Sequence, residues 1–312
     1  MQRVAILGAS SQIAKDLVAS FARKASHAPI LYVRDVVATQ QWQAGLGLRF
    51  PVHPYAEYGR EPHDAVINFV GVGDPQRAAK MGGDIFGVTQ QYDDLVLDAL
   101  RRHPDRRYIF LSSGAAYGST FLEPAGPDTR AVIAINALQP QDYYAVAKLH
   151  AECKHRALPH LAITDLRVFN YFSRTQDLAA RFFITDILRA IRDGELLRTS
   201  GDFMARDFLH PDDFHQLVCC VLAGPRANQA LDCYSRAAID KPTLLAAMAS
   251  RFGLRYEIGA PSQAVVNATG AKPHYYSLRR EAAALGYQPA YSSEEGIALE
   301  ADAILETSGK AP

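Results

Sequence analysis

The sequence is poor in cysteine, has no net charge and contains no long apolar run. Its four cysteines among 312 residues include no CxxC pair, which argues against a disulfide framework or a thiolate zinc site. Lysine plus arginine (33) equals aspartate plus glutamate (33), so no excess charge favours nucleic acid or an anionic bilayer. No stretch approaches the roughly 20 apolar residues of a membrane helix. We expect a soluble, unexported, cytoplasmic protein that binds neither nucleic acid nor membrane.

Three histidines are spaced by five residues along one predicted helix and its end, at His150, His155 and His160. At about 100° per residue they do not share a helix face. A metal site needs ligands that converge on one point, so this spacing predicts none.

The chain does contain an alternation of short apolar runs with longer amphipathic segments. Strands are predicted at 4–7, 30–33, 65–70, 108–111 and 163–168. Helices are predicted at 13–23, 85–100 and 142–158. Such an alternation favours a parallel sheet covered by helices on both faces. The predicted fold is α/β, a Rossmann-like doubly wound parallel sheet whose ligands bind beyond the carboxyl ends of the strands.

The character of the sequence changes after Asn170, where polar and aromatic loops surround isolated helices. We predict a dinucleotide-binding domain at residues 1–168 and a smaller C-terminal α/β lobe, which binds the substrate, at residues 169–312. Segment 205–235, which contains a strand-like run at 231–234, is expected to return to the first domain. Further helices are predicted at 179–193, 212–222 and 241–252.

The first predicted strand runs directly into Gly8 and then into a helix. In this arrangement, backbone N–H groups and the helix dipole can hold a pyrophosphate. Gly8 is the one glycine present of the GxxGxxG or GxxxGxG pattern, because Ser11, Gln12 and Ala14 stand at the other positions. The loop predicts either a cofactor site or a strand-turn-helix without a ligand. The candidate cofactor residues in and near it are Gly8, Ser10, Ser11, Gln12, Ile13 and Gly71.

The second predicted strand ends in Val33, Arg34 and Asp35. In dinucleotide folds, an acid at this place binds the 2′-hydroxyl of the adenosine ribose, whereas an arginine pairs with the 2′-phosphate of NADP. Because Arg34 comes first after the apolar run, the sequence favours NADP(H) slightly over NAD(H). The alternative is that Arg34 and Asp35 form only a solvated strand end.

Tyr144 and Lys148, four residues apart on a predicted helix, lie on one face of it. A nearby ammonium, together with the positive charge of a nicotinamide, lowers the pKa of a phenol and lets Tyr144 act as a base near neutral pH. Ser113 ends the preceding strand, where its hydroxyl can hold a substrate oxygen against the tyrosine. A tyrosine and a lysine at this spacing alone are more often a surface pair. The three residues together, in this order, predict a catalytic site.

These segments resemble the extended short-chain dehydrogenase/reductase family of nucleotide-sugar epimerases, dehydratases and reductases. The resemblance covers nearly the whole chain. It rests on LSSGAAYG at 111–118, YxxxK at 144–148, LRVFN at 166–170, RDFLHPDD at 206–213 and LGYQP at 285–289. It implies that Ser113, Tyr144 and Lys148 form the catalytic triad.

The same resemblance implies that Asn170 and Arg206 contact the diphosphate or the sugar of the substrate. An arginine suits a diphosphate because its forked N–H groups form charge-assisted hydrogen bonds. Taken by itself, however, Arg206 is equally suited to pair with the neighbouring Asp207.

Two departures from the family narrow the chemistry. Family 4,6-dehydratases have an Asp-Glu pair directly after the active-site hydroxyl residue, because loss of water needs an acid and a base beside the sugar. Gly114 and Ala115 stand there in this chain, which disfavours dehydration. Ala115 also replaces the cysteine of the 3,5-epimerising reductases, which disfavours double epimerisation.

The preferred function is an NAD(P)-dependent oxidoreductase of a nucleotide-activated sugar, and within that class an epimerase that works through a transient keto-sugar. The first alternative is an NADPH-dependent 4-keto-sugar reductase, which Arg34 favours. The second is a non-catalytic regulatory protein that only binds the dinucleotide, for which the missing glycines are the best support. The resemblance also implies a homodimer, formed through a four-helix contact of the helices at 85–100 and 142–158.

Overall fold

The computed structural model describes residues 1–72, 78, 80–118, 120–260 and 272–308. Among these residues, seven parallel strands form a central sheet in the order β11-β6-β5-β4-β1-β2-β3. Their bounds are β1 (Arg3–Leu7), β2 (Ala28–Val33), β3 (Val52–Pro54), β4 (Ala65–Asn68), β5 (Arg107–Ser113), β6 (Ala162–Val168) and β11 (Gln229–Asp232). The direction of winding reverses between β1 and β4, which opens a crevice at their carboxyl ends. The Rossmann-like fold predicted from the sequence is confirmed.

Helices cover both faces of the sheet because successive strand residues point to opposite sides. Val4 and Ile6 belong to one core with two helices, and Ala5 and Leu7 belong to a second core with two others. The first pair is α1 (Gln12–Lys24) and α6 (Pro211–Ala223), and the second is α3 (Asp84–Arg102) and α4 (Pro140–Arg156). Since α4 packs on this face of the sheet, residues of α4 lie beside the carboxyl end of β5, next to the crevice.

A third apolar core lies among three helices of the C-terminal half, and it includes Leu188, Leu245 and Ile297. These helices are α5 (Phe183–Asp193), α7 (Lys241–Phe252) and α8 (Ser293–Ser308). Short strands accompany them: β7 (Asn170–Tyr171) pairs with β10 (Phe208–Leu209), β8 (Leu196–Thr199) with β13 (Arg255–Ile258), and β9 (Ala205–Arg206) with β12 (Ile239–Asp240) and β14 (His274–Tyr275). Within segment 205–235, β11 is a strand of the large sheet and α6 packs on that sheet, whereas β9 and β10 are strands of two smaller sheets.

The predicted strands of the large sheet are all present, with ends that differ by at most two residues. One predicted helix begins late: α5 starts at residue 183 rather than 179. The reason is that Asp177 accepts the Ala179 N–H and holds a turn there, while the Thr185 hydroxyl accepts the Phe182 N–H at the true helix start. Helix α2 (Val36–Gly45) was not predicted, because its buried residues, Thr39 and Gln43, are polar and give no apolar periodicity.

Candidate active site

The turn after β1 lies where the winding of the sheet reverses. Gly8 has a φ of 73°, in the left-handed region that favours glycine. A Cβ at Gly8 would lie 2.9 Å from the backbone carbonyl carbon of Phe69, which follows β4. Two backbones therefore approach each other here too closely for any side chain, and this explains why Gly8 is retained.

Residues 10–13 lead from this turn into α1. Ser10 is exposed, and Ile13 packs at the edge of the apolar core. Ser11 is the N-cap residue of α1, yet it makes no capping hydrogen bond, and its buried hydroxyl has no partner in the described part of the chain. A helix N-terminus with an unpaired hydroxyl offers donors to a phosphate. The loop therefore fits a dinucleotide pyrophosphate although two of its glycines are replaced.

Gln12 connects this loop to the segment that follows β7. Its amide nitrogen donates to Ser173 Oγ at 3.0 Å and to Gln176 Oε1 at 3.2 Å. One turn further along α1, Asp16 accepts a hydrogen bond of 2.8 Å from the Tyr171 hydroxyl. The Gln12 side chain is thus engaged with the protein, so of the loop's side chains it is Ser11 that is left without a partner.

Arg34 and Asp35 follow β2 directly. Asp35 Oδ1 accepts the Ala38 N–H at 2.9 Å and so caps α2. Arg34 is exposed at the same strand end. Asp35 is therefore occupied by the helix cap, and Arg34 is the group at this position that can meet a phosphate.

Ser113, Tyr144 and Lys148 meet at the carboxyl end of β5. Ser113 is the last residue of that strand, and its hydroxyl lies close enough to the Tyr144 phenol to lower the pKa of that phenol. Lys148 Nζ donates to the Leu111 carbonyl oxygen at 2.7 Å and lies 4.4 Å from the ring centroid of Phe110. Its distance to the ring centroid of Tyr144 is 5.8 Å. The three residues that the sequence assigned to catalysis are thus neighbours in space.

The Lys148 ammonium is buried, and burial lowers its pKa to about 8. The carboxylates of Glu152, Asp93 and Asp165 act in the opposite direction and help to keep the ammonium charged. A Cβ at Gly71, in the segment after β4, would lie 3.4 Å from Lys148 Nζ. The absence of a side chain at Gly71 therefore leaves room beside the ammonium on the side of the crevice.

The sequence predicted that Lys148, together with a bound nicotinamide, lowers the pKa of Tyr144. In the chain without a nicotinamide, the pKa of Tyr144 is not lowered. Burial raises the pKa of the Tyr144 phenol, and the hydrogen bond from Ser113 lowers it only in part. The physical reason is distance: the Lys148 ammonium is directed to the Leu111 carbonyl rather than to the phenol oxygen. In the chain without a ligand, the hydroxyl of Ser113 is therefore the side-chain group that lowers the pKa of Tyr144.

Gly114, which follows Ser113, packs directly against an aromatic ring. A Cβ at this position would lie 2.4 Å from a ring carbon of Phe169. Ala115 is buried, and its N–H donates to Ser113 Oγ at 3.2 Å. The acid that a dehydratase has directly after its hydroxyl residue therefore has no space here, which strengthens the argument against dehydration.

Two cations without carboxylate partners in the described part of the chain lie next to each other near this site. Arg206 donates to the carbonyl oxygens of Ala205 at 2.8 Å and of Lys272 at 2.5 Å. Burial lowers the pKa of Arg206 to about 10 and that of Lys272 to about 8. The pair with Asp207 that the sequence left open does not form, because the Asp207 carboxylate accepts the Ser235 N–H. Partly buried positive charge without a counterion is suited to an anion such as a diphosphate.

Two residues that no sequence pattern assigned to the site, Lys272 and Tyr275, bring the C-terminal half to it. Tyr275 Oη lies 3.1 Å from Ser113 Oγ, and Lys272 Nζ lies 4.6 Å from the centroid of the Tyr275 ring. Asn170, a predicted substrate ligand, donates to the backbone oxygens of Asp207 at 3.2 Å and Tyr275 at 3.4 Å. In this structure, Asn170 therefore holds the backbone around the site. The short β14 strand gives no periodic signal from which these residues could be found.

The family comparison agrees with this architecture. Residues 4–235 match the model of the NAD dependent epimerase/dehydratase family. The chain belongs to this family. No curated protein sequence matches it at a significant level.

Solved structures of similar fold cover almost the entire chain. UDP-glucuronic acid 4-epimerase from Bacillus cereus, in complex with UDP-glucuronic acid and NAD, is 16% identical, with 98% of this chain and 99% of that chain covered and a TM-score of 0.78. UDP-glucose-4-epimerase from Stenotrophomonas maltophila, with NAD and formylated UDP-arabinopyranose, is 15% identical over 100% of both chains, with a TM-score of 0.80. At these identities the likeness establishes the fold of this family member.

The described residues contain no group of three histidine, cysteine, aspartate or glutamate side chains arranged to hold a metal ion. None of the helices in the described ranges is both long and apolar enough to cross a membrane.

Proposed function

We propose that this protein is an NAD(P)-dependent oxidoreductase that acts on a nucleotide-activated sugar. The observation that carries the proposal is the meeting of Ser113, Tyr144 and Lys148 beside a strand-turn-helix suited to a pyrophosphate. Solved relatives in fold hold NAD together with UDP-sugars, which supports NAD(H) as the cofactor and a UDP-sugar as the substrate. The turn at Gly8 and the unpaired Ser11 hydroxyl would hold the cofactor diphosphate.

The proposed reaction moves one proton and one hydride. Tyr144 exchanges the proton with a hydroxyl of the sugar, while the Ser113 hydroxyl orients the reacting oxygen. When bound, a nicotinamide supplies the site that accepts and returns the hydride. Lys148, whose ammonium is held by the Leu111 carbonyl oxygen, would bind the nicotinamide ribose.

Within this class we propose an epimerase. Loss of the hydroxyl proton to Tyr144 and of the hydride from one carbon gives a keto-sugar. Return of the hydride to the opposite face of that carbon, and of the proton from Tyr144 to its oxygen, inverts the carbon with no net oxidation. The steric exclusion of an acid at Gly114 supports a reaction without elimination. An NADPH-dependent 4-keto-sugar reductase is the second candidate, and the exposed Arg34 beside the capped α2 is the observation that favours it.

Incubation with candidate sugars tests the proposal. The protein is mixed with NAD and UDP-glucose or UDP-glucuronic acid, and the products are separated by anion-exchange chromatography and identified by NMR. An epimerase forms the 4-epimer without net consumption of cofactor. A reductase instead oxidises NADPH when it is given a UDP-4-keto-sugar. UDP binding without turnover of any of these sugars would contradict the catalytic assignment.

Arg206 and Lys272 are proposed to hold the diphosphate of the substrate. Because both cations are partly buried and lack a carboxylate partner in the described ranges, a diphosphate would form charge-assisted hydrogen bonds with them. We expect Arg206→Ala to weaken UDP binding about 30-fold, equivalent to about 2 kcal/mol. Isothermal titration with UDP measures the change.

The matched control for this prediction is Arg198→Ala, since Arg198 is an exposed arginine that faces Glu257 on the surface. It should leave the dissociation constant of UDP unchanged. Equal UDP affinity of Arg206→Ala and the parent protein would show that the diphosphate binds elsewhere.

The choice between NAD(H) and NADP(H) depends in our proposal on Arg34. If its guanidinium pairs with a 2′-phosphate, Arg34→Ala should weaken NADPH binding about tenfold and leave NADH binding unchanged. Fluorescence titration with each reduced cofactor gives both dissociation constants. Tighter binding of NADH than of NADPH by the parent protein, unaffected by the substitution, would refute the role of Arg34.

A further inference from the structure

Tyr275 reaches the candidate active site from β14, 162 residues after Ser113 in the chain. Its ring packs against Phe121 and Phe169, with centroid distances of 4.9 and 5.2 Å, and its side chain is buried. Its hydroxyl oxygen lies 3.1 Å from Ser113 Oγ. The aromatic packing therefore fixes a second phenol at the hydroxyl that also contacts Tyr144.

The hydrogen bonds around Ser113 decide whether Tyr275 or Ser113 is the donor in the contact between their hydroxyls. A serine hydroxyl has one proton and two acceptor lone pairs. The Ala115 N–H uses one lone pair at 3.2 Å. Burial raises the pKa of Tyr275, so that its phenol keeps its proton, and a buried O–H is costly unless it donates to an acceptor. If Tyr275 donates to the second lone pair, the proton of Ser113 must point away from both donors.

We infer that Tyr275 is a positioning residue, which donates to Ser113 and thereby directs the single Ser113 proton towards Tyr144, or towards the reacting oxygen of the substrate when a substrate is bound. The inference rests on the roles of Ser113 and Tyr144 in the proposed function, but not on the identity of the sugar. It also explains how one serine favours first the phenolate of Tyr144 and then the oxygen of a bound keto-sugar, since each of these accepts a hydrogen bond in its turn.

The charged groups around the two phenols stay in place when the Tyr275 hydroxyl is removed. Lys272 Nζ and the Arg206 guanidinium lie 4.6 and 5.9 Å from the Tyr275 ring, and Lys148 Nζ lies 5.8 Å from the Tyr144 ring. Because Tyr275→Phe keeps the ring that packs against the aromatic side chains, the substitution tests the hydroxyl alone.

The test reads the ionisation of Tyr144 without cofactor or sugar. Phenolate absorbance is followed after a rapid pH jump, before the chain can unfold, and the signal of the matching Tyr144→Phe protein is subtracted to isolate Tyr144. In Tyr275→Phe we expect Tyr144 to ionise about one pH unit higher than in the parent, because Ser113 is no longer held as its donor. Ser113→Ala should shift it in the same direction, and Ser113→Ala with Tyr275→Phe no further.

Tyr276→Phe is the control, because Tyr276 follows Tyr275 directly and lies beside His274 rather than Ser113. It should leave the ionisation of Tyr144 unchanged. The inference is overturned if Tyr275→Phe leaves Tyr144 at its parental pH, or if the shifts of Ser113→Ala and Tyr275→Phe add in the double variant. Since no ligand is present, this result is independent of whether a UDP-sugar is the substrate.

Discussion

Replacement of Tyr144 by Phe is expected to lower the turnover number about 10²- to 10⁴-fold, the range that a positioned acid-base group contributes. The substitution removes the phenol oxygen that exchanges the proton but keeps the ring. UDP affinity should not change, because the proposed diphosphate ligands, Arg206 and Lys272, are untouched. Steady-state kinetics and UDP titration of the same preparation measure the two quantities separately.

Tyr143→Phe is the matched control, since Tyr143 precedes Tyr144 on α4 and packs against Phe86 instead of Ser113. It should retain the parental turnover. If the turnover number of Tyr144→Phe equalled that of this control, the Tyr144 phenol would not be the group that transfers the proton. The alternative of a regulatory protein that only binds the dinucleotide would then have to be preferred.

The triad was predictable because its information is local. Tyr144 and Lys148 are one helical turn apart, and Ser113 ends an apolar strand, so the periodicity of two elements was enough to place all three near the carboxyl edge of the sheet. Gly8 was found in the same way, from a strand that runs directly into a helix. For these residues, the fold follows from short-range pattern and the site follows from the fold.

The other half of the site depends on contacts that no short pattern encodes. Tyr275 meets Ser113 only because β14 pairs with β9, and Lys272 meets Arg206 through the same pairing. The sequence also left open an ion pair between Arg206 and Asp207, which are adjacent in the chain. Adjacent residues of extended backbone point to opposite sides, and the Asp207 carboxylate accordingly binds the Ser235 N–H instead.

His155 is a further residue whose contacts no short sequence pattern encodes. Its spacing from His150 and His160 predicted that the three histidines do not share a helix face. The spacing did not predict which side chains each histidine contacts. His155 is completely buried, with Nδ1 at 2.6 Å from Asp165 Oδ1 and Nε2 at 2.8 Å from Asp93 Oδ1. The two carboxylates raise the pKa of His155 to about 9, although burial by itself would lower it. A charged imidazolium thus bridges α3, α4 and β6.

Replacement of His155 by Gln should lower the free energy of unfolding by about 3 kcal/mol, because the two buried carboxylates lose the cation between them and are left with one partly exposed cationic partner each, Lys154 or Arg156. His150→Gln, on the exposed face of the same helix, should change the free energy by less than about 0.5 kcal/mol. Urea unfolding at neutral pH measures both values. An equal decrease in the free energy of unfolding in the two variants would show that the Asp93–His155–Asp165 bridge adds no stability.

The contribution of His155 should also depend on pH in a defined direction. Because its pKa is raised from 6.5 in the unfolded chain to about 9 in the folded chain, folding favours the protonated imidazole. The resulting stabilisation is complete below pH 6.5 and is lost as the pH rises through about 9. The difference in unfolding free energy between the parent and His155→Gln should therefore narrow over this interval. If this difference in unfolding free energy stayed constant as the pH rose, the buried imidazole would be neutral and would act only through its shape and hydrogen bonds.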